Sequence, residues 1–314
     1  MSETAIFEKL AIIGAGMIGS SVAQAARLTG AVNRIVMTDR CDSVLREANA
    51  LSLADDYTQD AAEAVVGADL VMLAVPVGAM GVAAETILPF MRSGAILSDV
   101  GSVKGDVLST LDPLVPGDIH LIPGHPVAGT EKSGPSAGIQ DLFDGRWCIL
   151  TPPPGADQSA VEKLSAFWER LGSKVETMDA AHHDRVLAIT SHLPHLIAYN
   201  IVGTASDLEE VTRSEVIKYS AGGFRDFTRI AASDPVMWRD VFLTNKEAVL
   251  EMLGRFTEDL TALQRAIRWG EGESLEKLFS RTRDIRTRII DAGQDEDVVD
   301  FGRHHTDSEG KEIE

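Results

Sequence analysis

The chain has 314 residues, 44% hydrophobic and 25% charged, which is enough to bury two sizeable cores. A formal charge of −19 argues against nucleic acid or an anionic membrane as partner, since both demand a basic face. The opening "MSETAIFEKLAIIG" lacks a basic leader, and no later stretch approaches the roughly eighteen apolar residues of a membrane span, so a cytoplasmic protein with no membrane contact is expected. Cys41 and Cys148 are too few for a disulfide framework and too far apart for a metal knuckle, and both are read as structural.

In chain order, "KLAIIG", "RIVMTD", "DLVMLAV", "GAILSDV", "IHLIPG" and "WCILTP" read as short strands of the buried, parallel kind. Helices are expected between them over residues 18–29, 61–67 and 77–91. After "PPPG" a further helix over 157–171 and one more strand, "KVETM", complete the alternation. Strand and helix in turn predict an α/β N-terminal Rossmann-type doubly wound parallel sheet over residues 1–180.

From there the strands stop. Residues 181–292 read as helix, broken at "SHLPH", at "SAGGFRD", before Pro235 and at "WGEGES". Residues 238–267 repeat apolar side chains at three- and four-residue spacing for about seven turns, too long for one small core. An all-α C-terminal dimerisation domain is therefore expected, and with it a homodimer. Residues 293–314 are acidic and polar and are expected to form a disordered tail, and His304 and His305 within it have no carboxylate or cysteine at ligand spacing, so no metal is expected.

"AIIGAGMIGSS" places Gly14, Gly16 and Gly19 in a G-x-G-x-x-G pattern after a predicted strand and at the start of a predicted helix. In that setting the glycines allow a tight turn and bring a pyrophosphate close to the helix N-terminus, with Met17 and Ile18 in its first turn. "RIVMTDR" puts Asp39 at the end of the next strand, where a carboxylate accepts from the adenine-ribose diol and repels a 2′-phosphate. NAD is expected over NADP, with Arg40 as the residue that opposes the preference. Val75 and Pro76, ending "DLVMLAVP", fall beside the cofactor at the carboxyl edge of the sheet.

Four further stretches stand out: "DVGSVKG" from Asp99, "GHPVAGTEKSG" from Gly124, "SHLPH" from Ser191, and "GGFRDFTRIAASDPVMWRD" from Gly222. Gly124 and Pro126 place His125 on what reads as a rigid, exposed turn. In these four stretches, taken in order across both halves from about Leu10 to Ala292, the sequence closely resembles the prephenate and arogenate dehydrogenase family, also called cyclohexadienyl dehydrogenases. The GHPxAGxExSG and SHLPH elements are much more specific than the glycine fingerprint.

The resemblance implies NAD-dependent oxidative decarboxylation of prephenate or L-arogenate, in tyrosine biosynthesis. His125 matches the family's catalytic histidine, the base for the ring hydroxyl, and Ser102 matches a serine near that hydroxyl; Ser102 also reads as a helix N-cap. Arg229 matches the arginine that pairs with a substrate carboxylate, His195 a contact to the substrate side chain, and Trp238 a wall of the same pocket. Glu131, Arg225 and Asp226 match charged residues that form ion pairs at the site entrance, a possible gate. Lys104 is similar in position to the catalytic lysine of related hydroxyacid dehydrogenases, His192 reads as a core histidine, and His182, His183 and Asp184 read as facing solvent or the domain joint. Tyrosine is a candidate competing product. Two alternatives share part of the pattern: a β-hydroxyacid dehydrogenase or imine reductase of similar architecture, and a non-catalytic NAD-binding regulatory module.

Overall fold

The computed structural model describes residues 4–212, 222–290, 305–306 and 312–313. Its N-terminal part is built on β1 (Phe7–Ile13), β2 (Val32–Thr38), β3 (Asp56–Thr58), β4 (Leu70–Leu73), β5 (Ile96–Asp99) and β6 (His120–Leu121). These form one parallel sheet in the order β3-β2-β1-β4-β5-β6. The order reverses between β1 and β4, the topological switch point at which such sheets bind ligands.

Alternation along each strand feeds two cores. Leu10, Ile12, Ile35, Met37, Leu70 and Met72 face α1 (Met17–Thr29) and α6 (Gln158–Arg170), where Val22, Ala26, Phe167 and Trp168 are buried. Ala11, Ile13, Val71, Leu73 and Leu97 face the other way, onto α4 (Met80–Ile87) and α5 (Lys104–Leu111). The remaining helices of this part are α2 (Asp42–Ala50) and α3 (Ala61–Val65).

The last two predicted strands do not extend the parallel sheet. β7 (Gly124–Pro126), β8 (Trp147–Leu150) and β9 (Lys174–Thr177) form a separate three-stranded sheet, antiparallel between β7 and β8 and parallel between β8 and β9. The tripeptide Gly-His-Pro is therefore a buried edge strand and not an exposed turn; His125 lies opposite Ile149 and is only 6% exposed. Three residues are too short to show a strand's alternation, and their pairing partner lies more than twenty residues away in sequence.

The helical region begins with α7 (Ala180–Leu187), capped by Asp179, whose carboxylate accepts from His182 N. A π-helical turn, Ala188–His192, joins α7 to α8 (Leu193–Thr212) without a break. In place of the break expected at "SHLPH" the chain makes this π-helical turn just before Pro194, whose missing N–H removes one bond from the run. The continuous run 180–207 has mean hydropathy 1.2 over eighteen residues, enough by length and composition to cross a membrane, contrary to the expectation from sequence. It nonetheless carries His183, Asp184 and His192 as buried polar side chains.

α9 (Gly222–Thr228) is followed by a 3-10 turn, Arg229–Ala232, and by α10 (Pro235–Thr244), which Asp234 caps. The expected single helix over 238–267 is two, because Asn245 interrupts it. Asn245 is buried, and its Nδ2 donates to the Asp184 carbonyl at 2.9 Å and lies 3.0 Å from His192 Nδ1. α11 (Lys246–Trp269) and α12 (Gly272–Ile289) follow, separated at Gly270 as expected from "WGEGES".

By contacts the chain divides into two compact units, Met1–Leu250 and Glu251–Glu314. The second consists of most of α11, α12 and a two-stranded pair, β10 (His305–Thr306) with β11 (Glu312–Ile313). Its helices leave Leu260, Ile267, Trp269, Phe279 and Ile289 exposed. The rest of the expected tail lies outside the described residues.

Candidate active site

The glycine fingerprint occupies the turn from β1 to α1. Gly14 adopts φ +109°, and a Cβ there would collide with the Ala74 carbonyl oxygen; one on Gly19 would collide with the Gly14 oxygen. Both are required by the backbone itself. Gly16 differs, with nothing within 4 Å of its added Cβ, and it begins a 13-residue helix with no side-chain cap and no acid in its first turn. Open space over Gly16 and an uncapped helix N-terminus suit a pyrophosphate, so the residues present fit a dinucleotide.

Asp39 is half-buried at the end of β2, where its two carboxylate oxygens accept from Ala15 N at 3.0 Å and Cys41 N at 2.8 Å. Each oxygen retains a lone pair for a ribose hydroxyl. Arg40 beside it is exposed, and so is Cys41, which unlike the buried Cys148 is not a core residue. Val75 is half-buried and Pro76 exposed at the end of β4, across the switch point from Gly14. The segment after His125 returns over α1: a Cβ on Gly129 would touch Met17 Cε at 3.4 Å and Ile18 Cδ1 at 3.8 Å, and Ile139 N donates to Ser21 Oγ at 2.9 Å.

His125 heads a relay that the sequence reading missed. Its Nδ1 lies 2.8 Å from His183 Nε2, and His183 Nδ1 lies 2.8 Å from Asp184 Oδ1. A carboxylate only accepts, so His183 carries its proton on Nδ1 and presents a lone pair at Nε2; His125 Nδ1–H then donates to it. His125 Nε2 is left as an acceptor with no partner among the described residues. Asp184 in turn accepts from the first amides of α5, Lys104 N and Gly105 N, both at 2.8 Å. A Cβ on Gly105 would lie 2.8 Å from Asp184 Oδ2, so the close approach depends on glycine.

His183 and Asp184 are buried at the joint expected for them, against His125, Lys104 and Gly105 of the N-terminal part and away from solvent, while His182 is exposed. A signal was present: Ala180, His183, Asp184 and Leu187 fall at three- and four-residue spacing on one face of α7.

Burial, joined by the charges of His183, Lys104 and His192, pushes His125 well below the ordinary value of 6.5, so the ring is neutral at physiological pH. His183 is lowered mainly by burial, against the opposing pull of Asp184. Burial alone raises Asp184, but the His183 ring and the two α5 amides outweigh it and hold the carboxyl below its ordinary value.

Ser102 is half-buried before α5, and its hydroxyl makes no hydrogen bond among the described residues. It is not an N-cap: Val103 holds that position, and the carboxylate of Asp184 does the capping from α7. Lys104 is completely buried; its ammonium is bound to Asp99 and to the Gly124 carbonyl, so it is not a catalytic lysine open to a ligand.

His195 stacks on Trp238 with ring centroids 3.7 Å apart and donates from Nδ1 to the Ser191 carbonyl at 2.9 Å, leaving Nε2 as an acceptor. Trp238 is buried against Val103, Val241 and His192. His192 is the core histidine expected, fully buried beside Asn245, and burial lowers it to about 4. Arg229 donates to Glu131 Oε2 at 2.7 Å, with both side chains about one-third exposed. The partner of Glu131 in the structure is thus Arg229; Arg225 and Asp226 are exposed on α9.

A dinucleotide cradle at the switch point, with a neutral, relay-backed histidine beyond the carboxyl edge of the same sheet, defines a Rossmann-type oxidoreductase. Comparison with known proteins is specific. The family model "Prephenate dehydrogenase, nucleotide-binding domain" matches residues 22–177, and "Prephenate dehydrogenase, dimerization domain" matches residues 179–281. A cyclohexadienyl dehydrogenase of Zymomonas mobilis is 42% identical over 90% of this chain and 97% of its own length, and a prephenate dehydrogenase of Bacillus subtilis is 31% identical over 89% and 75%. The crystal structure of prephenate dehydrogenase from Aquifex aeolicus, in complex with hydroxyphenyl propionate and NAD+, superposes with a TM-score of 0.84 at 34% identity, covering 90% of this chain and 98% of that one. The chain belongs to the prephenate dehydrogenase family.

Proposed function

We propose that this enzyme oxidatively decarboxylates prephenate, L-arogenate or both, with NAD as oxidant, to give 4-hydroxyphenylpyruvate or L-tyrosine. The observation that carries this reading is the His125–His183–Asp184 relay, which leaves His125 Nε2 as a free acceptor beyond the carboxyl edge of the sheet. NAD, held by the glycine turn and Asp39, would supply the acceptor for the hydride of the ring's carbinol carbon. His125 Nε2 accepts the hydroxyl proton as the C–O bond becomes a carbonyl, and the Ser102 hydroxyl orients the same oxygen. The ring then loses carbon dioxide, the electrons of the broken C–C bond aromatise it, and the resulting phenolate oxygen recovers the proton from His125. Over a full cycle the relay is returned to its starting state.

Arg229 supplies the permanent cation for a substrate carboxylate, with Glu131 fixing one edge of its guanidinium, and His195 on its Trp238 platform meets the side chain. Gly16, Met17 and Ile18 hold the pyrophosphate, Asp39 the adenine ribose, and Val75 and Pro76 line the cofactor edge. Glu131 with Arg225 and Asp226 forms the charged rim of the entrance. The same reading carries a cytoplasmic location, competition by tyrosine, and a homodimer, supported by the dimerisation-domain match and by the exposed Ile267, Trp269 and Phe279. NADH formation with prephenate and with L-arogenate, NAD and then NADP as acceptor, tests the assignment. Turnover of either ring substrate is the expected result; silence with both, in protein that binds NAD, refutes it.

A further inference from the structure

Beneath His125 lies an ion pair that the proposed chemistry does not use. Lys104 is 0% exposed and Asp99 is 0% exposed, and the Lys104 ammonium binds Asp99 Oδ1. Pairs this deeply buried are a weak source of stability, since their desolvation offsets much of their attraction. What they do well is fix geometry.

The geometry fixed here is the backbone that presents His125. Lys104 Nζ donates to the Gly124 carbonyl at 2.7 Å, the carbonyl of the peptide that leads into His125. Asp99 Oδ2 accepts from Gly124 N at 3.3 Å, and Oδ1 accepts from Gly101 N at 2.7 Å. Both peptides flanking Gly124 are thereby tied to the carboxyl end of β5. Gly124 is packed closely enough that a Cβ would lie 3.1 Å from the Asp99 carbonyl oxygen and 3.2 Å from Leu150 Cδ2. Lys104 also acts by a second route, because its main-chain N–H donates to Asp184 Oδ1, the carboxylate that orients His183 and through it the His125 ring.

We infer that Lys104, clamped by Asp99, is a positioning residue for His125: its ammonium holds the His125 backbone through the Gly124 carbonyl, beside the main-chain N–H of the same position, which any residue there would supply to the Asp184–His183 relay. The role rests on the proposed reaction only where turnover is the readout. The groups facing His125 are Lys104 with Asp99 from the β5–α5 turn, His183 and Asp184 from α7, His192 from the π-helical turn, and Cys148 from β8. Of these, the Lys104 ammonium opposes protonation of both His125 and His183. Its removal therefore raises the pH at which His125 takes up a proton.

The test is Lys104→Met, which keeps the main-chain N–H and the stem, together with the double variant Asp99→Leu/Lys104→Met, which removes both buried charges. Two readouts separate this inference from the reaction on which it builds. The first is histidine 15N NMR, assigned with His125→Asn, and needs no turnover. Wild-type His125 is expected as the single Nδ1–H tautomer, neutral below the ordinary value of 6.5; in the variants the ring is expected to mix tautomers and titrate at higher pH. The second is kinetic, with a fall in kcat of roughly 10- to 100-fold expected, KM for NAD within about threefold, and the acid limb of the profile moved upward. A folded variant with wild-type tautomer, titration and kcat overturns the inference. Where neither variant folds, a wild-type His125 that titrates at its ordinary value or populates both tautomers overturns it. A wild-type enzyme silent with both ring substrates refutes the reaction and leaves the NMR result standing.

Discussion

His183 Nε2 stands 2.8 Å from His125 Nδ1, and that contact decides which nitrogen of His125 is free to accept a proton. His183 can accept only because Asp184 holds the proton on its other nitrogen. Asp184→Asn replaces an acceptor with an amide that can turn its NH2 toward the ring and reverse the tautomer. Asp184→Asn and His183→Phe are expected to lower kcat by about 10- to 1,000-fold with little change in NAD affinity. Steady-state kinetics with fluorescence titration of NADH check this, and a KM effect alone contradicts it.

The glycine fingerprint separates into structural and ligand-facing positions. Gly14→Ala meets the Ala74 carbonyl at a positive φ and is expected to unfold or strongly destabilise the protein. Gly16→Ala meets no protein atom, so its thermal midpoint should stay within a few degrees of wild type. Its added methyl enters the space assigned to the pyrophosphate and should weaken NAD binding by tenfold or more. Calorimetry of NAD binding beside a melting curve distinguishes the two effects.

Much of this was legible in the sequence. Strands β1, β2, β4, β5 and β6, the fingerprint and Asp39 follow from local pattern, because each carries its own signal, whereas the three-residue edge strand β3 carries none. The relay did not, because "DAAHHDR" looks like a polar helix start until Ala180, His183, Asp184 and Leu187 are read as one face. The burial of His125 depends on pairing with Trp147–Leu150, and the break at Asn245 on contacts with Asp184 and His192; both are long-range and carry no local periodicity.

Acid should weaken the fold before it titrates the carboxylates. His125, His183, His192 and His195 are all held below 6.5, burial being the main cause in each, and His192 is lowered to about 4. Below about pH 6.5 the unfolded chain takes up protons that the folded chain refuses, so stability falls as pH falls through this range. For His192 alone the loss approaches about 3 kcal/mol by pH 4. Asp184 adds to it lower down: its depressed carboxyl contributes fully above the unfolded value near about 3.9, and that contribution is lost on further acidification. Urea midpoints should drop between pH 7.5 and 5, and a flat profile contradicts the buried neutral imidazoles.

Arg229 is the cation placed to meet a substrate carboxylate, with Glu131 2.7 Å from one of its nitrogens. Arg229→Ala is expected to raise KM for the ring substrate by roughly 10- to 100-fold, the loss of one charge-assisted pair of hydrogen bonds, while KM for NAD changes little. An unchanged KM for the ring substrate contradicts the assignment.

His125 Nε2 as the base is tested most directly by the rate of NADH formation by wild type and His125→Asn, with prephenate and with L-arogenate. Turnover by the wild type with at least one of them is expected, and a loss of about 100- to 10,000-fold in the variant while NAD binding is retained. A variant that folds, binds NAD and turns over at the wild-type rate would contradict it.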